Sequence, residues 1–187
     1  MSDTHLIEQM LESESVYDGK LLRVRRDRVS LPDGSESFRE WITHPGAVVI
    51  VALLDNGKCL FVRQFRYPLR RVFLELPAGK VDPNEHPLDT AKRELREETG
   101  YKAKVWRHLS TVHPCIGYAD EKIDVFWATG LFYVGHDRDD GEFLDVIELS
   151  ITDALLAIRD GELSDGKSIS ALMWADKITS GVWSVPE

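Results

Sequence analysis

Residues 87 to 99 place the tightest constraint on the fold, because the sequence delimits a helix there at both ends. Pro87 suits the first helical position, where its missing N–H costs nothing. Gly100 suits the position just past the end, where left-handed backbone is cheap for glycine. At about 100° per residue, Glu94, Glu97 and Glu98 fall within an arc of roughly 100°, while Leu88, Ala91 and Leu95 form an adjoining apolar stripe. Such a helix must lie with one side buried and a row of carboxylates at the edge of the burial. Three carboxylates side by side repel one another. Arg93, four residues before Glu97, offsets part of this, and a divalent cation would offset more. Mg²⁺ suits hard oxygen ligands and bridges carboxylates to phosphate oxygens; Mn²⁺ has the same preference for oxygen.

The rest of the chain mixes strands and helices. The first dozen residues read as a short polar helix or a loose arm. Residues 20 to 30 alternate apolar and basic side chains in the middle, which predicts a half-exposed strand. Pro32-Asp33-Gly34 turns the chain, and Phe38 to Thr43 returns. Ala47 to Leu54 and Lys58 to Phe65 flank Asp55-Asn56-Gly57, a turn that predicts a two-strand hairpin. Val72 to Leu76, Lys104 to Val112 and Lys122 to Ala128 read as further strands. Ile151 to Arg159 and Lys167 to Ile178 read as closing helices. The class is therefore α/β or α+β.

The chain has 187 residues, a formal net charge of −9 and two cysteines. An acidic chain is a poor generic binder of nucleic-acid backbone. The longest apolar run, Ala47 to Leu54, is far short of the roughly 20 residues that span a membrane. No basic patch and long apolar run open the sequence as a secretory signal would. With two cysteines a disulfide framework is not needed, so the cytoplasm is the default compartment. His113-Pro114-Cys115 lacks companion ligands at zinc-site spacing. Trp106, Trp127 and Trp174 fall in strand or helix patterns and read as core or interface aromatics.

An Arg- and Glu-rich helix surface is ordinarily just solvated. Here the helix belongs to a longer pattern: Gly79, five residues, Glu85, seven residues, then Arg93-Glu94-Leu95-Arg96-Glu97-Glu98-Thr99-Gly100. This resembles the box of the Nudix hydrolase superfamily at every fixed spacing. Tyr101 departs from the aliphatic residue usual at the last position. The resemblance implies a mixed β-sheet sandwiched between helices, with an N-terminal antiparallel strand extension. It also implies hydrolysis of a nucleoside diphosphate linked to another group. Carried over by position, Glu94 and Glu98 would be the principal metal ligands, with the Ala78 carbonyl as a backbone ligand. Glu97 would be a further ligand or would position a water. Gly79 and Glu85 would support the site, and Arg93 would orient the glutamates through an ion pair.

Tyr17 to Val24, Phe38 to Ala47, Val62 to Pro68, Glu75 to Lys80 and Asp165 to Ile169 resemble bacterial ADP-ribose pyrophosphatases within that superfamily. The resemblance implies that Arg39, Glu40 and Arg66 face the substrate. It also implies an acidic segment, here residues 137 to 143, that supplies the catalytic base, with Glu142 and then Asp140 as candidates. Glu121 is another site candidate. A solvated loop for the acidic segment and an exposed strand pair for Arg39-Glu40 remain the plain readings. Two departures bear on the substrate. Ile116 stands where ADP-ribose-type members carry a proline, and Lys20 and Leu21 follow Gly19 where some members place an aromatic.

These readings divide the chain into a strand extension over residues 1–44, expected to dimerise, and a Nudix hydrolase domain over residues 45–187. The leading expectation is Mg²⁺-dependent cleavage of ADP-ribose by a homodimer. Another nucleoside diphosphate sugar such as GDP-mannose comes second. A non-catalytic Nudix ligand-binding module ranks last, because the box glutamates are intact.

Overall fold

The computed structural model describes residues 3–136, 141 and 143–186. Two units are distinguished within it: Met1–Pro45 with His113–Lys122, and Gly46–Val112 with Ile123–Glu187.

In the first unit, β1 (Gln9–Asp18), β2 (Arg23–Ser30) and β3 (Glu36–Thr43) form an antiparallel sheet in that order. The first dozen residues were expected as a short polar helix or a loose arm, yet among the described ones only Thr4–Leu6 is helical, as a single 3₁₀ turn, and β1 begins at Gln9. All ten residues of β1 are exposed, so burial imposes no alternation on its sequence. The ladder to β2 holds it, lined by Arg26–Glu14, Arg28–Glu12 and Arg23–Asp18, each at 3.5 Å. Exposed pairs of this kind contribute about 1 kcal/mol at most, so the backbone hydrogen bonds set the strand. Tyr118 accepts from the Ile42 N–H at 2.9 Å, which ties the His113–Lys122 segment to β3.

The second unit holds β4 (Ala47–Ala52), β5 (Lys58–Arg66), β6 (Arg71–Glu75), β7 (Ala78–Lys80), α1 (Pro87–Thr99), β8 (Tyr101–Val112), β9 (Ile123–Tyr133), β10 (Leu144–Ser150), α2 (Ile151–Arg159) and α3 (Gly166–Thr179). One sheet runs β7-β4-β9-β8, with β4 and β9 parallel; the other runs β10-β5-β6 and is antiparallel. The tight turn at Asn56-Gly57 forms, but β4 and β5 do not pair as the expected hairpin. A lone bridge, Leu53 to Cys59, joins them before each enters its own sheet. The reason lies in their burial: Val48 to Ala52 and Cys59 to Val62 are all buried. Continuous apolar runs of this sort belong to central strands covered on both faces.

Along β4 the two faces serve two cores. Val49 and Val51 pack in one with Ala154 of α2 and Ala171, Leu172 and Ala175 of α3. Val48, Ile50 and Ala52 pack in the other with Ala91 and Leu95 of α1. The mixed sheet is thus sandwiched between helices. Gly100 caps α1 at φ 77°, and the His86 side chain accepts from the Leu88 N–H at its start. Cys59 lies in the first core, where burial pushes its thiol up to about 12, and neither cysteine is in a disulfide. Trp127 is buried, Trp106 meets Phe126 edge-on and Trp174 meets Trp183. Among the described residues no helix is long and apolar enough to cross a membrane.

Candidate active site

The apolar stripe of α1 turns its carboxylates toward β7, which hydrogen-bonds along β4 with Val48 opposite Gly79 and Val49 opposite Ala78. Glu98 is 2% exposed, and its Oε2 accepts from the Ala78 N–H at 3.0 Å. A charge so deep demands compensation.

Arg93 is the hub of the remaining carboxylates. Its Nε and Nη2 donate to the two oxygens of Glu85 at 3.0 and 2.9 Å. Its Nη1 donates to Glu94 at 2.8 Å and to Glu97 at 2.9 Å, and its Nη2 also reaches the Lys80 carbonyl at 3.2 Å. The fork of a guanidinium suits this task, since five donors lie in one rigid plane. Its proton is held more tightly than usual, first through the hydrogen bond to Glu85. Those same bonds, joined by one from the Thr90 hydroxyl at 2.8 Å, lower the Glu85 carboxyl from 4.5 to about 2. A carboxylate lowered on folding adds stability that is complete above its unfolded value and lost as pH falls through the folded one. In chelator, the melting temperature of Glu85→Gln should therefore lie below wild type at pH 7, with the gap closing as pH falls from 4.5 toward 2. A gap unchanged down to pH 2 would contradict the Arg93–Glu85 pairing.

Gly79 is required for space. A Cβ there would stand 1.9 Å from the Glu94 carboxyl carbon. The obstruction is the end of a flexible side chain, so Gly79→Ala should fold with little change in melting temperature. It must push the Glu94 carboxylate away, however, and a shift near 1 Å in a site can cost about a hundredfold in rate. Turnover within twofold of wild type would exclude a role for that placement.

Arg66, at the end of β5, forks onto Glu75 at the end of β6, with Nε–Oε1 at 2.7 Å and Nη2–Oε2 at 2.9 Å. Hydrogen bonding to Glu75 raises the Arg66 guanidinium, and the charges of Glu98 and Asp165 add to this. The sequence pointed to Arg66 but gave no role to Glu75, whose carboxylate is 2% exposed. A lone acidic residue within Val72 to Leu76 was the visible sign of a buried, paired charge.

Three further candidates belong to the first unit. Arg39 is bound by Glu8, at 2.9 and 2.5 Å, and Glu40 is exposed beside it on β3. Glu121 lies 3.7 Å from His44 Nε2. Asp140 and Glu142 fall outside the described residues.

Among the described residues, no three Asp, Glu, His or Cys side chains converge to hold a metal by themselves. Arg93 draws Glu94 and Glu97 to its guanidinium. The arrangement fits a divalent cation that takes one or two carboxylates and completes its shell with water and substrate phosphate. The donor set of carboxylates beside a backbone segment fits a hard divalent ion, and the missing Cβ of Gly79 lets the Glu94 carboxylate lie directly against that segment.

A mixed sheet between helices, with a glycine-to-glutamate loop leading into a carboxylate helix, defines a class, and the chain belongs to the NUDIX domain family, whose model matches residues 43–172. Proteins of this family generally need a divalent metal. Residues 8–42 match a second model, described as the nucleoside diphosphate sugar hydrolase N-terminal domain. The chain is similar to the ADP-ribose pyrophosphatase of Bacillus subtilis (strain 168), 40% identical and covering 90% of this chain and 92% of that one. It is 37% identical to the methanol dehydrogenase activator of Bacillus methanolicus, over 89% and 91%. It is 36% identical to the ADP-ribose pyrophosphatase of Mycobacterium tuberculosis (strain ATCC 25618 / H37Rv), over 92% and 85%. The fold matches a crystal structure of an ADP compounds hydrolase with a TM-score of 0.84 at 22% identity, covering 95% of this chain and 97% of that chain.

Proposed function

We propose that this protein hydrolyses the pyrophosphate bond of ADP-ribose to AMP and ribose 5-phosphate, using Mg²⁺ held at the carboxylate face of α1. The observation that carries the reading is Glu98, a buried carboxylate hydrogen-bonded to the backbone of the segment just before Gly79. Two relatives at 36% and 40% identity that are named ADP-ribose pyrophosphatase support the choice of substrate. Glu94, Glu98 and the Ala78 carbonyl would hold the cation, with Glu97 as a further ligand or the residue that positions a water; Mn²⁺ would suit the same oxygens. When bound, such a cation neutralises charge on the diphosphate and lowers the pKa of water.

The chain's own residues supply the rest. Arg93 holds Glu94 and Glu97 at one nitrogen and orients them, and Glu85 holds Arg93 from the far side. Arg66 binds a phosphate oxygen. Glu142, or Asp140 after it, takes the proton as water attacks phosphorus, with Glu97 and Glu121 as the remaining candidates. Arg39 and Glu40 recognise the nucleoside, from a partner in a homodimer. The extension over residues 1–44 is the dimerising part, and the domain over residues 45–187 carries the chemistry. The support for a dimer is that every residue of β1 is exposed, Met10, Leu11, Val16 and Tyr17 included. A monomeric mass by light scattering would remove that part. Two unpaired cysteines suit the cytoplasm. No nucleic acid or membrane is involved.

The second reading is another nucleoside diphosphate sugar, with GDP-mannose foremost, and Ile116 favours it. Ile116 stands in place of the expected proline and is 86% exposed. A panel of ADP-ribose, GDP-mannose, UDP-glucose, NADH and diadenosine polyphosphates separates the two. Fastest cleavage of ADP-ribose supports the first reading, fastest cleavage of GDP-mannose the second. No cleavage of any would return the protein to the class of ligand-binding modules.

A further inference from the structure

The segment from Asp165 to Ile169 stood out in the sequence but takes no part in the proposed reaction. Asp165 caps α3, and its Oδ2 accepts from the Ser168 N–H at 3.0 Å and the Ser168 hydroxyl at 2.6 Å. That oxygen also accepts from Lys167 Nζ at 2.9 Å. The same ammonium donates to Glu75 Oε2, the oxygen that Arg66 Nη2 also holds. One residue on, the Leu76 N–H donates to Ser168 Oγ at 2.8 Å. Two residues further, the Ala78 N–H donates to Glu98. The first turn of α3 therefore grips the strand end at two successive residues just before the proposed metal-binding segment.

The Glu75 carboxylate is almost wholly buried, and burial alone would raise its pKa. Arg66 and Lys167 together outweigh this and hold it below its ordinary value. Both Glu75 oxygens are taken by these cations. Arg66 differs from Lys167 in exposure: its side chain is 42% exposed against 16%. Its Nε and Nη2 are spent on Glu75, and its Nη1 has no partner among the described residues. With two cations and two anions, the cluster Arg66–Glu75–Lys167–Asp165 adds no net charge. What it supplies is orientation: a guanidinium locked in plane by a carboxylate that cannot rotate, with one donor edge left for an anion.

We infer that Lys167 is a positioning residue for the substrate diphosphate: acting through Glu75, it fixes the Arg66 guanidinium so that Nη1 meets a phosphate oxygen. The inference rests on the reading that Arg66 faces the diphosphate. Lys167 and Glu75 touch no substrate, so their loss should weaken binding more than chemistry.

The test is a double-mutant cycle of Lys167→Met and Glu75→Gln, with Lys167→Arg as the conservative variant. KM and kcat for ADP-ribose in Mg²⁺ are read beside the dissociation constant of methylenediphosphonate, whose P–C–P bridge is not hydrolysed. Each single variant should raise KM and the dissociation constant about fivefold and change kcat less than twofold, and the double variant should be no worse than either single. Lys167→Arg should lie within twofold of wild type. The double leaves Arg66 and Asp165 without their charged partners; Arg66 is exposed enough to be hydrated, and Asp165 keeps its bonds from the Ser168 N–H and hydroxyl. If Lys167→Met loses its cooperative melt, Lys167→Gln replaces it in the cycle. An unchanged KM, or losses that multiply to about 25-fold in the double, would overturn the inference. If wild type cleaves no ADP-ribose, the functional reading falls and the diphosphonate cycle still decides this one. If the wild type neither cleaves ADP-ribose nor binds the diphosphonate, both fall.

Discussion

Glu98→Gln should lower kcat for ADP-ribose by about a thousandfold, since a cation's stabilisation of transition-state charge runs to several kcal/mol and each roughly 1.4 kcal/mol is a factor of ten. The fold should survive. The amide oxygen of glutamine can still accept from the Ala78 N–H as Glu98 Oε2 does at 3.0 Å, and the side chain keeps its volume in a site that is 2% exposed. Removing a buried charge while keeping its hydrogen bond can even raise stability in metal-free buffer. The check is kcat together with the melting temperature in chelator. A variant that keeps a tenth of wild-type turnover would move the chemistry away from this carboxylate.

Arg93→Ala should be the most destabilising change in the site. It leaves Glu85, Glu94 and Glu97 on one patch, with side chains only 19%, 13% and 19% exposed, without the cation that joins them. Removing one partner of a buried ion pair costs about 3–5 kcal/mol. Arg93 is itself 29% exposed, so water screens part of this and about 2–3 kcal/mol is the better expectation. For a chain of this size that amounts to roughly 5–10 °C in melting temperature. Added Mg²⁺ should recover part of the loss, because it answers the same repulsion. Arg93→Lys should recover less than its charge suggests, since an ammonium cannot fork to three carboxylates. A melting temperature within 1–2 °C of wild type would show that the hub is not needed for folding.

The carboxylate helix was legible because its signals are local. Pro87, the apolar stripe and Gly100 each act within one or two turns, and Pro87–Thr99 forms between the expected limits. The exchange of partners between β4 and β5 was not legible from their turn. An Asn-Gly turn states that the chain reverses, not that the two strands share a sheet, and only the two-sided burial of both runs distinguishes the cases. β1 was missed because a strand exposed along its whole length carries no burial pattern. β10, Leu144–Ser150, was missed in the shadow of the acidic segment before it; it is set by its ladder to β5. In the site, the box spacing named Gly79, Glu85, Arg93, Glu94, Glu97 and Glu98 together, and α1 and β7 bring them together. Glu75 and Lys167 lie 92 residues apart, and their pairing depends on where α3 starts relative to β6. An acidic residue in the apolar run Val72 to Leu76 marks a buried charge, but nothing local in either segment names its partner.

The most direct test of the central claim is AMP release from ADP-ribose, followed from full chelation through rising free Mg²⁺. The account predicts no release above background in chelator, a saturable rise with Mg²⁺, and AMP and ribose 5-phosphate in equal amounts. Equal rates with and without the cation, or an intact ADP-ribose pool at saturating Mg²⁺, would contradict it.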